Sequence, residues 1–182
     1  MAGDPITADV LTSEAVARDQ IRQCLALAAI ATDRMDWDLL ADCYTSDATV
    51  DLGGFFRGSI SEYIASNSSP SGLPSLERTM HALTTSAIDV RGDRAVAESY
   101  CTCYHSGPPD HPWCAGFVVV YVRFLDELTV SDGRWRIARR RGVFEWGRNE
   151  TTGAALELDP ESLGRRDRSD ARYQLYAGAG GS

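Results

Sequence analysis

A chain of 182 residues, 43% of them apolar, is the size of one globular domain and can bury a real core. Its 26 acidic and 18 basic residues give a formal charge of −8, which repels phosphate backbones; the basic clusters at 134–141 and 165–168 are broken by Trp, Ile and Asp, so nucleic-acid binding is not expected. No run approaches the ~20 apolar residues of a membrane span, the first residues carry neither a basic nor an apolar leader, and five cysteines without paired C-x-x-C spacing fit free thiols, so we expect a cytoplasmic protein with no membrane partner and no disulfide framework.

Residues 1–11 read as an arm. Thr12 or Ser13 can cap the first helix, with Glu14 in the turn where the helix dipole favours an acid. Ile21, Cys24, Leu25, Ala28, Thr32 and Met35 then recur at the spacing of an amphipathic helix. Asp33 stands beside that stripe, among small alanines that leave room near it. Asp36 caps a second short helix on which Trp37, Leu40 and Tyr44 share a face, and residues 48–52 form a strand ended by Gly53 and Gly54. The extended stretch 55–58, with Phe55 and Phe56, leads to a third helix starting at Ser59 or Ser61. The Ser, Pro and Gly-rich loop 66–75 is long enough to act as a lid.

From His81 the apolar period changes to two. Residues 83–90, 95–105, 117–128 and 134–146 are strand candidates, and the short turns between them predict an antiparallel meander. Helices first and a bent antiparallel sheet after them make an α+β fold, a cone-shaped barrel closed by the amino-terminal helices. One domain over 12–147 is expected, followed by a carboxyl-terminal arm over 148–182: a helical turn begins at Asp159-Pro160-Glu161, 165–170 is an exposed or partner-bound stretch, and 177–182 is disordered. The open sheet leaves a face to cover, which predicts a homodimer or homotrimer.

Asp33 at the end of the first helix, Asp36-Trp37-Asp38 just after it, His81 ahead of the long strands, and Asp126-Glu-Leu128 with Asp132-Gly-Arg-Trp-Arg-Ile-Ala-Arg139 in the last hairpin resemble the SnoaL-like branch of the nuclear-transport-factor-like superfamily. That branch includes scytalone dehydratase, bile acid 7α-dehydratase, hexachlorocyclohexane dehydrochlorinase, polyketide cyclases and steroid isomerases. The resemblance implies an Asp–His base formed by Asp33 and His81, with Arg140 where the dehydrochlorinase holds an arginine beside the leaving group. It also exposes a departure. The position five residues before the aspartate, Lys or Tyr in those enzymes, is Ala28, which argues against dehydrochlorination, predicts a wider pocket and requires an acid from elsewhere.

Physically, Asp33 would accept from one ring nitrogen of His81, set its tautomer and stabilise the imidazolium left by proton abstraction, without any cofactor. Arg140 would hold a developing oxyanion; its neighbours Arg139 and Arg141 point to the opposite face. Tyr44, Tyr100, Tyr104 and Tyr121 are candidate acids. Trp37, Phe56 and Phe144 supply apolar wall for a small hydrophobic or aromatic substrate, and Cys101, Cys103 and His105 share the inward strand face. A zinc site would need these last three with His111 and Cys114, but next-but-one strand residues stand roughly 6.5–7 Å apart, so no metal is expected. The expected activity is a cofactor-free lyase performing dehydration or carbon–carbon cleavage, such as deformylation, on a hydroxylated substrate. The alternatives are an isomerase or polyketide cyclase with the same pair, and a non-catalytic ligand-binding or assembly module.

Overall fold

A computed structural model describes residues 8–150 and 166–169. Of the arm expected over 1–11, residues 1–7 lie outside the described residues, as do the helical turn at Asp159 and the tail at 177–182, while 8–11 are helical. Helix α1 runs Ala8–Arg34 and so begins one turn before Thr12, because nothing between Ala8 and Ser13 breaks a helix. Met35, in the left-handed region at φ 52°, turns the chain into α2, Trp37–Asp42, whose first turn is capped by the Asp36 carboxylate accepting from the Leu39 N–H.

Strand β1, Tyr44–Asp51, forms a hairpin with the short β2, Arg57–Ser59, and Ser59 opens α3, Ile60–Ser68. Here the Ser59 hydroxyl accepts from the Glu62 N–H while the Glu62 carboxylate accepts from the Ser59 N–H, a reciprocal cap that sets the phase of the helix. The expected loop 66–75 is therefore partly ordered into the end of α3 and a 3₁₀ turn at Leu73–Ser75.

Four long strands follow: β3 Arg78–Arg91, β4 Arg94–Gly107, β5 Gly116–Ser131 and β6 Arg134–Glu150. They form the expected antiparallel meander. The sheet is not wholly antiparallel, however. Its order is β2-β1-β6-β5-β4-β3, and β1 lies parallel to β6, a long-range pairing that links chain segments joined through the rest of the fold.

Along β4 the buried positions Ala95, Ala97, Ser99, Cys101 and Cys103 alternate with outward ones, and Val122, Phe124, Asp126 and Leu128 do the same on β5. Helix α1 closes this inward face. Ile21, Leu25, Leu40, Val50, Leu128 and Ile137 fill one end of the cone, while Leu73, Leu76 and Cys114 pack with Met35 and Trp37 at the other. Cys101, Cys103, Val122 and Phe124 form a third apolar cluster, and Thr32, Asp33, Asp126 and Arg140 are polar residues buried within the fold. Among the described residues no helix is long and apolar enough to cross a membrane.

Candidate active site

The last turn of α1 and the start of β3 bring Asp33 and His81 together across 48 residues of sequence. Asp33 Oδ2 accepts from the His81 backbone N–H at 2.8 Å, and Oδ1 lies 2.7 Å from His81 Nδ1. One carboxylate thus fixes the strand and the ring at once. Asp33 is buried and His81 nearly so, with 15% of its side chain exposed. Burial works against charge on each, but the mutual hydrogen bond and attraction outweigh it, leaving Asp33 below its ordinary 3.8 and His81 above its ordinary 6.5. An ionised Asp33 can only accept, so Nδ1 carries the hydrogen and neutral His81 keeps its lone pair on Nε2.

The pair's contribution to stability therefore has two pH edges. The raised His81 value contributes fully below 6.5 and is lost as pH rises through that raised value; the lowered Asp33 value contributes fully above 3.8 and is lost as pH falls through it. We expect the difference in urea unfolding free energy between the wild type and His81→Gln to be larger near about pH 5 than near about pH 9. A difference that stays flat or grows over that range would mean the ion pair does not form.

Beside the pair lies a small cavity of about 30 Å³, lined by Ala29, Thr32, Tyr44, Val50, Leu52, Tyr63, His81, Leu83, Phe124 and Arg140. That is room for little more than a water molecule. The wide pocket expected from Ala28 is absent because Ala28 faces the main core; Ala29 and Thr32 are the α1 residues at the cavity, and Tyr44 and Tyr63 fill the space opposite. Burial raises the pKa of both tyrosines against the pull of Arg140, so each stays a neutral O–H donor.

Arg140 is inward and buried, but it is not unattached. Its Nε and Nη2 donate to Asp126 Oδ1 and Oδ2 at 2.7 and 2.9 Å, across the β5–β6 ladder, and its guanidinium lies 4.4 Å from the centre of the Phe124 ring. Burial opposes its charge, and Asp126 more than restores it. Arg139 and Arg141 are exposed on the outer face, as strand alternation predicts.

The other expected site residues divide. Tyr44 lines the cavity. His105 packs edge-on to His81 with ring centres 5.9 Å apart, and burial followed by the His81 charge pushes its pKa down to about 4. Cys101 and Cys103 lie inward, yet with Val122 and Phe124 they form a separate apolar layer and do not line the cavity. Their sulfurs converge to 3.6 Å, closer than strand spacing implies; among the described residues no group of three or more His, Cys, Asp or Glu is arranged for a metal ion, and all five thiols are free and buried.

Four placements need correction. Tyr121 pairs with outward Thr102 and stacks on Trp146 with centres 4.1 Å apart, so it lies outside the cone, as does the exposed Tyr100. Trp37 belongs to the core at the α1–α2 corner. Phe56 packs edge-on to Tyr63 and backs the cavity without lining it. Phe144 leans on exposed Phe55 at the sheet margin. The 66–75 segment and the β4–β5 connection meet: Ser75 Oγ is 3.0 Å from His111 Nε2, and His111 Nδ1 accepts from the Cys114 N–H.

Tyr63, Thr32 and Asp126 were not among the expected site residues. Asp126 had a readable signal, an acid at an inward position between Phe124 and Leu128, which demands a buried cation. Tyr63 could have been found from the Ser59 cap, which aligns Ile60, Tyr63 and Ile64 on one side of α3.

Comparison with known proteins gives a consistent picture. The model of the SnoaL-like domain family matches residues 13–141. A Novosphingobium aromaticivorans structure classed as a scytalone dehydratase aligns over 80% of this chain and 95% of its own at 18% identity, with a TM-score of 0.68. The LinA-type3 hexachlorocyclohexane dehydrochlorinase of Novosphingobium barchaimii aligns over 80% and 97% at 14% identity, with a TM-score of 0.69. A function-unknown protein from Mycobacterium tuberculosis aligns over 92% and 88% at 22% identity, TM-score 0.61. At these identities the likeness establishes the fold. No curated protein matches the chain significantly.

Proposed function

The chain belongs to the SnoaL-like domain family, and from that premise we propose that it is a cofactor-independent lyase acting on a small hydrophobic or aromatic hydroxylated molecule. The observation that carries this reading is the two-point bond of Asp33 to His81, which leaves Nε2 as the basic ring nitrogen of a histidine that lines a cavity together with two neutral tyrosines and a buried cation. In this scheme Nε2 removes a proton from carbon or from a hydroxyl group. Asp33 stabilises the imidazolium that results. Tyr63 or Tyr44 protonates or holds the departing oxygen, supported by the charge of Arg140, whose Nε–Nη2 edge is already engaged by Asp126. Dehydration, and loss of formaldehyde from a hydroxymethyl group, both follow from that first proton transfer. The hexachlorocyclohexane dehydrochlorinase among the structural neighbours is likewise, by its name, an enzyme of elimination.

A cavity of about 30 Å³ admits no aromatic ring, so a rim element must move for substrate to enter. The segments joined by Ser75 and His111 are the candidates for that movement.

The test is turnover of a panel of hydroxylated aromatic compounds in D₂O, followed by proton NMR. Elimination products are expected, with His81→Gln slower by about 10³-fold or more. Turnover unchanged by His81→Gln would sink the proposal. Deuterium entering recovered substrate, or ring closure without elimination, would assign the same base to an isomerase or cyclase.

A further inference from the structure

A second approach to this site comes from the carboxyl-terminal side. Residues 166–169 lie on the rim of the cone. Arg168 Nη2 donates to Asp36 Oδ1 at 2.8 Å, at the α1–α2 corner, and Arg166 Nη1 donates to the Leu76 carbonyl just ahead of β3. One anchor is on the helical side of the rim and the other on the strand side.

These contacts use little of Arg166. Its Nε and Nη2 are buried and have no hydrogen-bond partner among the described residues. Buried charged donors without partners are costly, and an arginine needed only as a latch could turn them to solvent. The unused edge is the same one with which Arg140 grips Asp126 by two parallel bonds. Asp33, Arg34 and Arg78 are the charges that act on Arg166. The one carboxylate of that group, Asp33, already gives both oxygens to His81, so a positive spot persists in a chain of charge −8. His105, beside His81 and close enough to feel the Arg166 charge, adds a buried Nδ1 that also has no partner among the described residues.

We infer that Arg166, with His105 near it, forms an anion-accepting subsite next to the Asp33–His81 pair, and that the substrate carries a carboxylate gripped by the Nε–Nη2 edge of Arg166. This deepens the lyase reading and rests on it for the identity of the cone as a substrate site. The substrate class narrows to a hydroxylated aromatic or apolar acid, with the carboxylate at the rim and the reacting carbon at His81.

The probes are 4-hydroxybenzoate and 4-hydroxybenzamide, nearly equal in shape and different in charge, with binding to the full chain measured by calorimetry. The wild type should prefer the acid by about tenfold or more. Arg166→Met should bind the two alike, and Arg166→Lys, which keeps a charge but not the fork, should lose at least about a threefold part of the preference. The Lys variant also reads the effect if Met loosens the rim. Equal affinity of the wild type for both probes, undetectable binding of both included, overturns the subsite; so does a preference that survives intact in both variants. His81→Gln should keep the preference while losing turnover, so failure of the subsite and failure of the base are separate results.

Discussion

Asp126→Ala should destabilise the protein by about 3–5 kcal/mol, read as a lower urea midpoint with an unchanged slope. Asp126 is 2% exposed and Arg140 8%, and they face each other across β5 and β6 with two parallel hydrogen bonds. Removing the carboxylate leaves a guanidinium that cannot shed its proton, buried against Phe124 and Tyr44. Replacing both, Asp126→Leu with Arg140→Met, should recover most of the loss, because two desolvated charges gain little over apolar side chains of similar size. That contrast would show the pair is held for its electrostatics at the cavity and not for stability. A loss below about 1 kcal/mol in Asp126→Ala would instead mean water reaches Arg140 and screens it.

The pairing of Asp126 with Arg140 also marks where sequence reading stops. The meander, the Asp36 cap and the meeting of Asp33 with His81 follow from local signals together with a family pattern: turn residues between alternating runs, and an acid and a histidine at matching places. Which face a strand residue takes needs register as well. Cys101, Cys103 and His105 read correctly as inward because they share one strand. Tyr121 does not, because its face is set by pairing with Thr102 on β4, information that lies between strands. The parallel β1–β6 contact was equally hidden, since it joins segments about 90 residues apart with no shared turn. The Ala28 inference failed by one helical position. Adjacent residues on a helix point about 100° apart, so the small residue at the cavity is Ala29 and the one in the core is Ala28.

Asp33→Asn should keep the fold and slow turnover by about 10³–10⁴-fold. The substitution is close to isosteric, and an amide oxygen in place of Oδ2 still accepts from the His81 backbone N–H. The other end of the amide is then an NH₂ group facing Nδ1, where Oδ1 had accepted at 2.7 Å. An NH₂ group must donate, so neutral His81 moves its hydrogen to Nε2 and presents a donor where the reaction needs a lone pair. The imidazolium also loses its countercharge, so the raised pKa of His81 should fall as burial acts unopposed. Three readouts should change together: the rate, the pH at which it rises, and the nitrogen-15 shifts of the His81 ring, which exchange the Nδ1–H pattern for the Nε2–H pattern. Asp33→Ala should slow turnover comparably and, by leaving the buried His81 N–H without an acceptor, cost a further ~1–3 kcal/mol of stability that the Asn variant retains. If Asp33→Asn switches the tautomer but keeps the wild-type rate, His81 is not the base. If the tautomer does not switch, Asp33 is not what orients the ring.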